Sequence, residues 1–82
     1  MKLPRDLSGF ELAKLLSRFG YEITRQKGSH IRLTSQYRGV EHHVTVPAHR
    51  QLKLGTLNAV LTEVAAYLEI SRADLDRSLF GS

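Results

Sequence analysis

The chain contains no cysteine. No disulfide can form, thiol nucleophiles are ruled out, and so are zinc sites built on thiolates. The lack fits a reducing compartment. No apolar run approaches the roughly 20 residues that cross a bilayer. The start, Met1-Lys2-Leu3-Pro4-Arg5-Asp6, has no apolar signal-peptide core. A cytoplasmic protein with no membrane partner is the expectation. No segment repeats, none is low in complexity, and no linker divides the chain. Its 82 residues therefore predict a single domain, 1–82, with one core layer between a sheet and a few helices.

Acids are scarce in one place. Between Ile23 and Lys53, Glu41 stands alone against Arg25, Lys27, Arg32, Arg38, Arg50 and Lys53. After residue 60, Glu63, Glu69, Asp74 and Asp76 outnumber Arg72 and Arg77. The net charge of +4 is thus concentrated in the centre of the chain. Such a region attracts polyanions and speeds their capture. The plainer alternative is a solvated strand face that happens to be basic.

Ser8-Gly9-Phe10-Glu11 is a capping-box pattern. Leu12, Leu15, Leu16 and Phe19 follow at helical spacing, and Gly20 can end the helix in the left-handed conformation. A first helix is predicted from Gly9 to Phe19. Tyr21–Lys27 and Ser29–Ser35 read as strands on either side of a turn at Gly28. In the second, Ile31 and Leu33 alternate with His30, Arg32 and Thr34. His42–Val46 alternates again, with Val44 and Val46 opposite His43 and Thr45, and Pro47 closes it because it cannot donate to a ladder. Gly55-Thr56 is read as opening a second helix with Thr56 as N-cap. Leu57, Val60, Leu61, Val64 and Leu68 form its apolar stripe. Ser71-Arg72-Ala73-Asp74 starts a short third helix carrying Leu75 and Leu79. The order predicts an α+β fold of the double-stranded-RNA-binding-like α-β-β-β-α type. Its three-stranded antiparallel sheet would have helices on one face, plus a short C-terminal helix. The open face would carry His30, Arg32 and His43.

The central stretch is Arg25-Gln26-Lys27-Gly28-Ser29-His30. An imidazole titrates near neutral pH and can act as base or acid. RNA supplies its own nucleophile, the 2′-OH. Its cleavage needs a base for that proton, an acid for the leaving 5′-oxygen, and cations for the phosphorane charge. Arg25 and Lys27 can meet the non-bridging oxygens, Ser29 can donate, and Gly28 permits close backbone approach to a phosphate. The alternative is an exposed strand histidine with charged neighbours.

The sequence resembles the HicA, or YcfA-like, toxins of bacterial toxin–antitoxin pairs. Four blocks carry the resemblance, in the family's order: Phe19-Gly20-Tyr21, Arg25–His30, Val44-Thr45-Val46-Pro47 with His49, and Gly55-Thr56-Leu57. They cover about residues 9–68, and the Ser71–Leu79 helix is similar to the usual tail. The resemblance implies a double-stranded-RNA-binding-like fold and metal-independent cleavage of mRNA. It also implies a HicB-like antitoxin as protein partner, and His30 as the catalytic histidine of the Gly-Ser-His motif. The chain departs from the family in a long, polar Tyr37–His43 and in His42-His43.

The second proton-transfer group is left open among His49, His43 and Lys53. His49 either serves the chemistry or orients a loop. Arg25, Lys27, Gly28, Ser29, Arg32, His49 and Lys53 are the predicted RNA contacts. Arg38 and Arg50 add phosphate contacts or a surface for an acidic antitoxin. No metal and no other cofactor is expected: His42 and His43 point to opposite faces of a strand, and only Glu41 lies near them. The competing readings are a non-catalytic RNA-binding module of the same fold and a purely protein-binding regulator.

Overall fold

Ser8 lies extended, at φ −86° and ψ 163°, in a computed structural model that describes residues 3–81. Its Oγ accepts from the Glu11 N–H at 3.0 Å, and the Glu11 carboxylate accepts from the Ser8 N–H at 2.8 Å. This reciprocal cap starts helix α1, Gly9–Leu16. The Ser8 backbone bond also holds the Glu11 carboxyl below its usual range. The chain then tightens into a 3₁₀ turn over Ser17–Phe19, so the helix expected to reach Phe19 changes type in its last turn. Gly20, at φ +78°, stops it there.

Strands β1 (Glu22–Lys27), β2 (His30–Ser35) and β3 (His42–Pro47) follow as an antiparallel meander in the order β1-β2-β3. Gly28 and Ser29 are the two residues of the first hairpin turn. Gly28 has φ +57° and no other residue of the turn has positive φ. That is the type II′ arrangement, whose first central position wants glycine. On β2 the buried side chains are Ile31, Leu33 and Ser35; on β3 they are Val44 and Val46. Helices α1, α2 (Leu54–Leu68) and α3 (Arg72–Phe80) cover that face with Leu12, Leu16, Leu57, Leu61, Val64 and Leu75. The expected α-β-β-β-α layout with a terminal helix is therefore present. Strand β1 is the exception to the burial pattern. It is an edge strand, exposed along its whole length, and a bulge between Ile23 and Arg25 leaves Thr24 outside the ladder.

Two more boundaries differ from expectation: β3 runs on to Pro47, which pairs with His30, and the start of α2 moves. Helix α2 begins at Leu54 with Lys53 as N-cap, and Thr56 lies inside its first turn. The cause is upstream. Buried Leu52 donates its N–H to the Leu7 carbonyl at 2.8 Å, which fixes the chain just before the helix. The Leu57 N–H then closes on the Lys53 carbonyl at 3.0 Å. Ser71 does cap α3, accepting from the Asp74 N–H at 3.0 Å.

The β2–β3 connection is pinned from below. Tyr21 is buried, and its hydroxyl oxygen is hydrogen-bonded to His42 Nδ1 at 2.7 Å. The His42 ring stacks on Tyr67, centroids 4.6 Å apart. The Tyr67 hydroxyl donates to the Val40 carbonyl at 2.5 Å and accepts from the Arg38 N–H at 2.9 Å. Burial is the main cause that pushes the Tyr21 phenol well above its usual 10.0, with Tyr67 and Glu63 adding to it. The raised folded-state value means the unfolded chain loses this proton first. The stabilisation is whole below about pH 10 and declines as pH rises beyond it. Tyr21→Phe is expected to lose about 1 kcal/mol at neutral pH through the missing hydrogen bond. It is also expected to lose less stability than the wild type between neutral pH and pH values above 10. Urea titrations by circular dichroism at each pH check this; parallel decline of the two proteins would assign the alkaline loss to another group.

Candidate nucleic-acid interface

The turn end of the open sheet face gathers the residues singled out in the sequence. Lys27 and His30 close the turn as a directly opposite pair. Opposite side chains in an antiparallel ladder share a face, with Cβ atoms about 4.5–5.5 Å apart. An ammonium group and an imidazole are thus neighbours, both exposed. The next opposite pair on that face is Arg25 and Arg32. Like charges directly opposite destabilise a ladder, and among the described residues neither arginine nor Lys27 has an ion-pair partner. The position of Gly28 is open: a Cβ there meets nothing within 4 Å.

The segment after β3 returns to the same end. The Ala48 N–H donates to the Ser29 carbonyl at 2.6 Å, and the His49 carbonyl accepts from Gly9 N–H at 3.0 Å. His49 is exposed and one residue beyond the contact with the turn. Lys53 stands apart from this group, exposed at the N-cap of α2. There it shares a cavity of about 350 Å³ with Arg5, a cation the sequence reading did not select because it lies far away in the chain.

His43 is placed elsewhere. It pairs with Thr34, whereas His30 pairs with Pro47. Four residues of strand separate His30 from Thr34, about 13 Å. One phosphodiester cannot touch both imidazoles over that span. His43 is instead held at both nitrogens: Nε2 donates to Glu41 Oε2 at 2.9 Å, and Nδ1 lies 2.8 Å from Thr34 Oγ1. Thr34 Oγ1 in turn lies 2.7 Å from Thr24 Oγ1. The sequence reading missed this chain of groups. Alternation alone put Thr34 and His43 on the open face, but their meeting needs the cross-strand register, and that of Thr24 needs the bulge. His42 points the other way, onto Tyr21 and Tyr67. Among the described residues no three His, Cys, Asp or Glu side chains gather as a metal-holding group.

Chemically, the turn end offers one imidazole, three unpaired cations on the same face, a serine hydroxyl and an open glycine. This suits a phosphate-bearing polymer. Among families of known proteins, one described as HicA toxin of bacterial toxin–antitoxin matches residues 9–65. No curated protein matches the chain, and no solved structure does.

Proposed function

The chain belongs to the HicA toxin family of bacterial toxin–antitoxin systems, and from that premise we propose that it is a metal-independent endoribonuclease that cuts mRNA. The observation that carries the reading is the pairing of His30 with Lys27 beside the unrelieved Arg25–Arg32 pair. A ladder that sets two arginines opposite each other without an acid gives up stability. A polyanion on that face restores it.

His30 is the general acid or base. As base it takes the proton of the 2′-OH, whose oxygen attacks the adjacent phosphorus. The bond to the 5′-oxygen breaks and that oxygen takes a proton, leaving a cyclic phosphate and a free 5′-hydroxyl. Lys27, Arg25 and Arg32 meet the non-bridging oxygens, where negative charge grows. Ser29 and the turn amides around Gly28 add donors. His49, on the returning segment, serves as the second proton-transfer group, and Lys53 binds the strand further along. The protein partner is a HicB-like antitoxin that silences the toxin.

The test is direct. Purified protein incubated with RNA in excess EDTA is expected to give discrete products on a denaturing gel. Salt-sensitive complexes without products would favour the non-catalytic RNA-binding module. An absence of affinity at low salt would exclude both and leave a protein-binding regulator.

A further inference from the structure

The open face changes character along its length. Its turn end is cationic. Its loop end holds a cavity of about 400 Å³ lined by Glu22, Thr24, Thr34, Gln36, Tyr37 and Glu41. Tyr37 is 60% exposed although it is a large aromatic, and its ring meets Phe19 in a T-shaped contact with centroids 5.8 Å apart. An aromatic ring left open beside a polar cavity, on a face that also carries unpaired cations, has the ingredients of a base-stacking platform. We propose that this cavity receives the base of a nucleotide neighbouring the cleaved one, stacked on Tyr37, and that it favours bases with an exocyclic amino group over uracil.

The preference follows from the hydrogen-bond directions. Glu41 is a carboxylate and only accepts; it takes the His43 Nε2–H. The other ring nitrogen, Nδ1, lies 2.8 Å from the Thr34 hydroxyl oxygen. Thr34 Oγ1 lies 2.7 Å from Thr24 Oγ1, and the Thr24 hydroxyl also reaches the Arg32 carbonyl at 3.4 Å. Each threonine proton thus has an acceptor within the protein, so the two hydroxyls turn lone pairs to the cavity. Glu22, unpaired on the same wall, adds two more acceptor oxygens. The Gln36 amide and the Tyr37 hydroxyl are the side-chain donors left in the lining. A wall of acceptors suits the amino groups of adenine, cytosine or guanine. It repels the two carbonyl oxygens of uracil. The distance from His30, about 13 Å along β2, makes this a flanking nucleotide and not the one whose phosphate is attacked.

This inference rests on the RNA-cleaving reading, so its experiment reads binding and not cleavage. His30→Ala protein is titrated, by fluorescence anisotropy, with short labelled homopolymers of adenosine, cytidine and uridine. The expected result is tighter binding of the adenosine and cytidine strands than of the uridine strand. Tyr37→Ala in that background is expected to weaken the adenosine strand by at least about fivefold. Glu22→Gln, which replaces one acceptor oxygen by a donor, is expected to narrow the difference from uridine. Equal affinity for the three strands overturns the proposal, as does a preference that both substitutions leave untouched. The two readings fail separately. Preference without cleavage by wild-type protein removes the nuclease and keeps the pocket; cleavage by the wild type without preference in this assay removes the pocket alone.

Discussion

His30→Ala is expected to abolish measurable RNA cleavage while leaving the fold intact. A positioned acid or base contributes typically about 10²–10⁴-fold to a reaction rate, and loss of His30 should cost that much. The fold should not notice. His30 sits on the exposed face of β2, and the buried residues of its strand are Ile31, Leu33 and Ser35. Substitutions at such positions usually change stability by no more than about 0.5 kcal/mol. Melting curves of the two proteins should therefore overlap, and their cleavage time courses should not. The same contrast is expected in cells: expression of the wild type arrests growth, and His30→Ala does not. Cleavage by His30→Ala at the wild-type rate would falsify the assignment and move the chemistry to another group at the turn end, His49 first. Loss of cleavage together with a lower melting point would mean that His30 supports the turn itself.

Much of this arrangement is legible in the sequence alone, because the physics involved is local. Alternation in Ser29–Ser35 and His42–Val46 puts residues on faces by geometry alone, so His30 and Arg32 fall on the open face and Ile31, Leu33, Val44 and Val46 in the core. The Ser8–Glu11 and Ser71–Asp74 caps are equally local. Thr56 misled because a good N-cap residue type is only a preference. The tie between Leu52 and Leu7, 45 positions apart in the chain, decided where α2 begins. A single sequence holds no sign of such a tie.

The candidate interface divides along the same line. Lys27 and His30 are three apart and meet across a two-residue turn. Gly28 betrays that turn in the sequence. The Arg25–Arg32 opposition and the Glu41–His43–Thr34–Thr24 chain depend on strand register. Register here shifts at the Thr24 bulge, where neither glycine nor proline marks it. An edge strand exposed on both sides has no apolar pattern to announce its pairing, and β1 has none. The acceptor-lined cavity was therefore invisible from sequence even though each of its residues lies in a segment whose strand or loop character was foreseen.

Gly9→Ala is expected to be the most disruptive small substitution in the chain, against the rule for helices. Alanine is ordinarily favoured over glycine in a helix interior by about 0.8–1.0 kcal/mol. At Gly9 that preference is overridden. A Cβ would lie 2.0 Å from the Pro47 carbonyl oxygen, 3.0 Å from its carbon and 3.2 Å from the Ala48 Cα. All three are backbone atoms, which no rotamer change can move aside. Overpacking of this kind costs typically about 1–3 kcal/mol, and in a domain of this size each kcal/mol shifts the melting point by about 4–8 °C. The consequence should reach the turn. Gly9 donates to His49, and the adjacent Ala48 donates to Ser29, so a displaced Pro47–Ala48 segment moves the residue next to His30. Cleavage should fall further than the remaining folded fraction explains, measured well below the melting transition. Gly55→Ala is the control. Gly55 lies in the first turn of α2, where a Cβ meets nothing within 4 Å, so the substitution should be neutral or stabilising and leave cleavage unchanged. If Gly9→Ala melted as high as Gly55→Ala, the close approach of α1 to the segment after β3 would not be what holds His49 and Ser29 together.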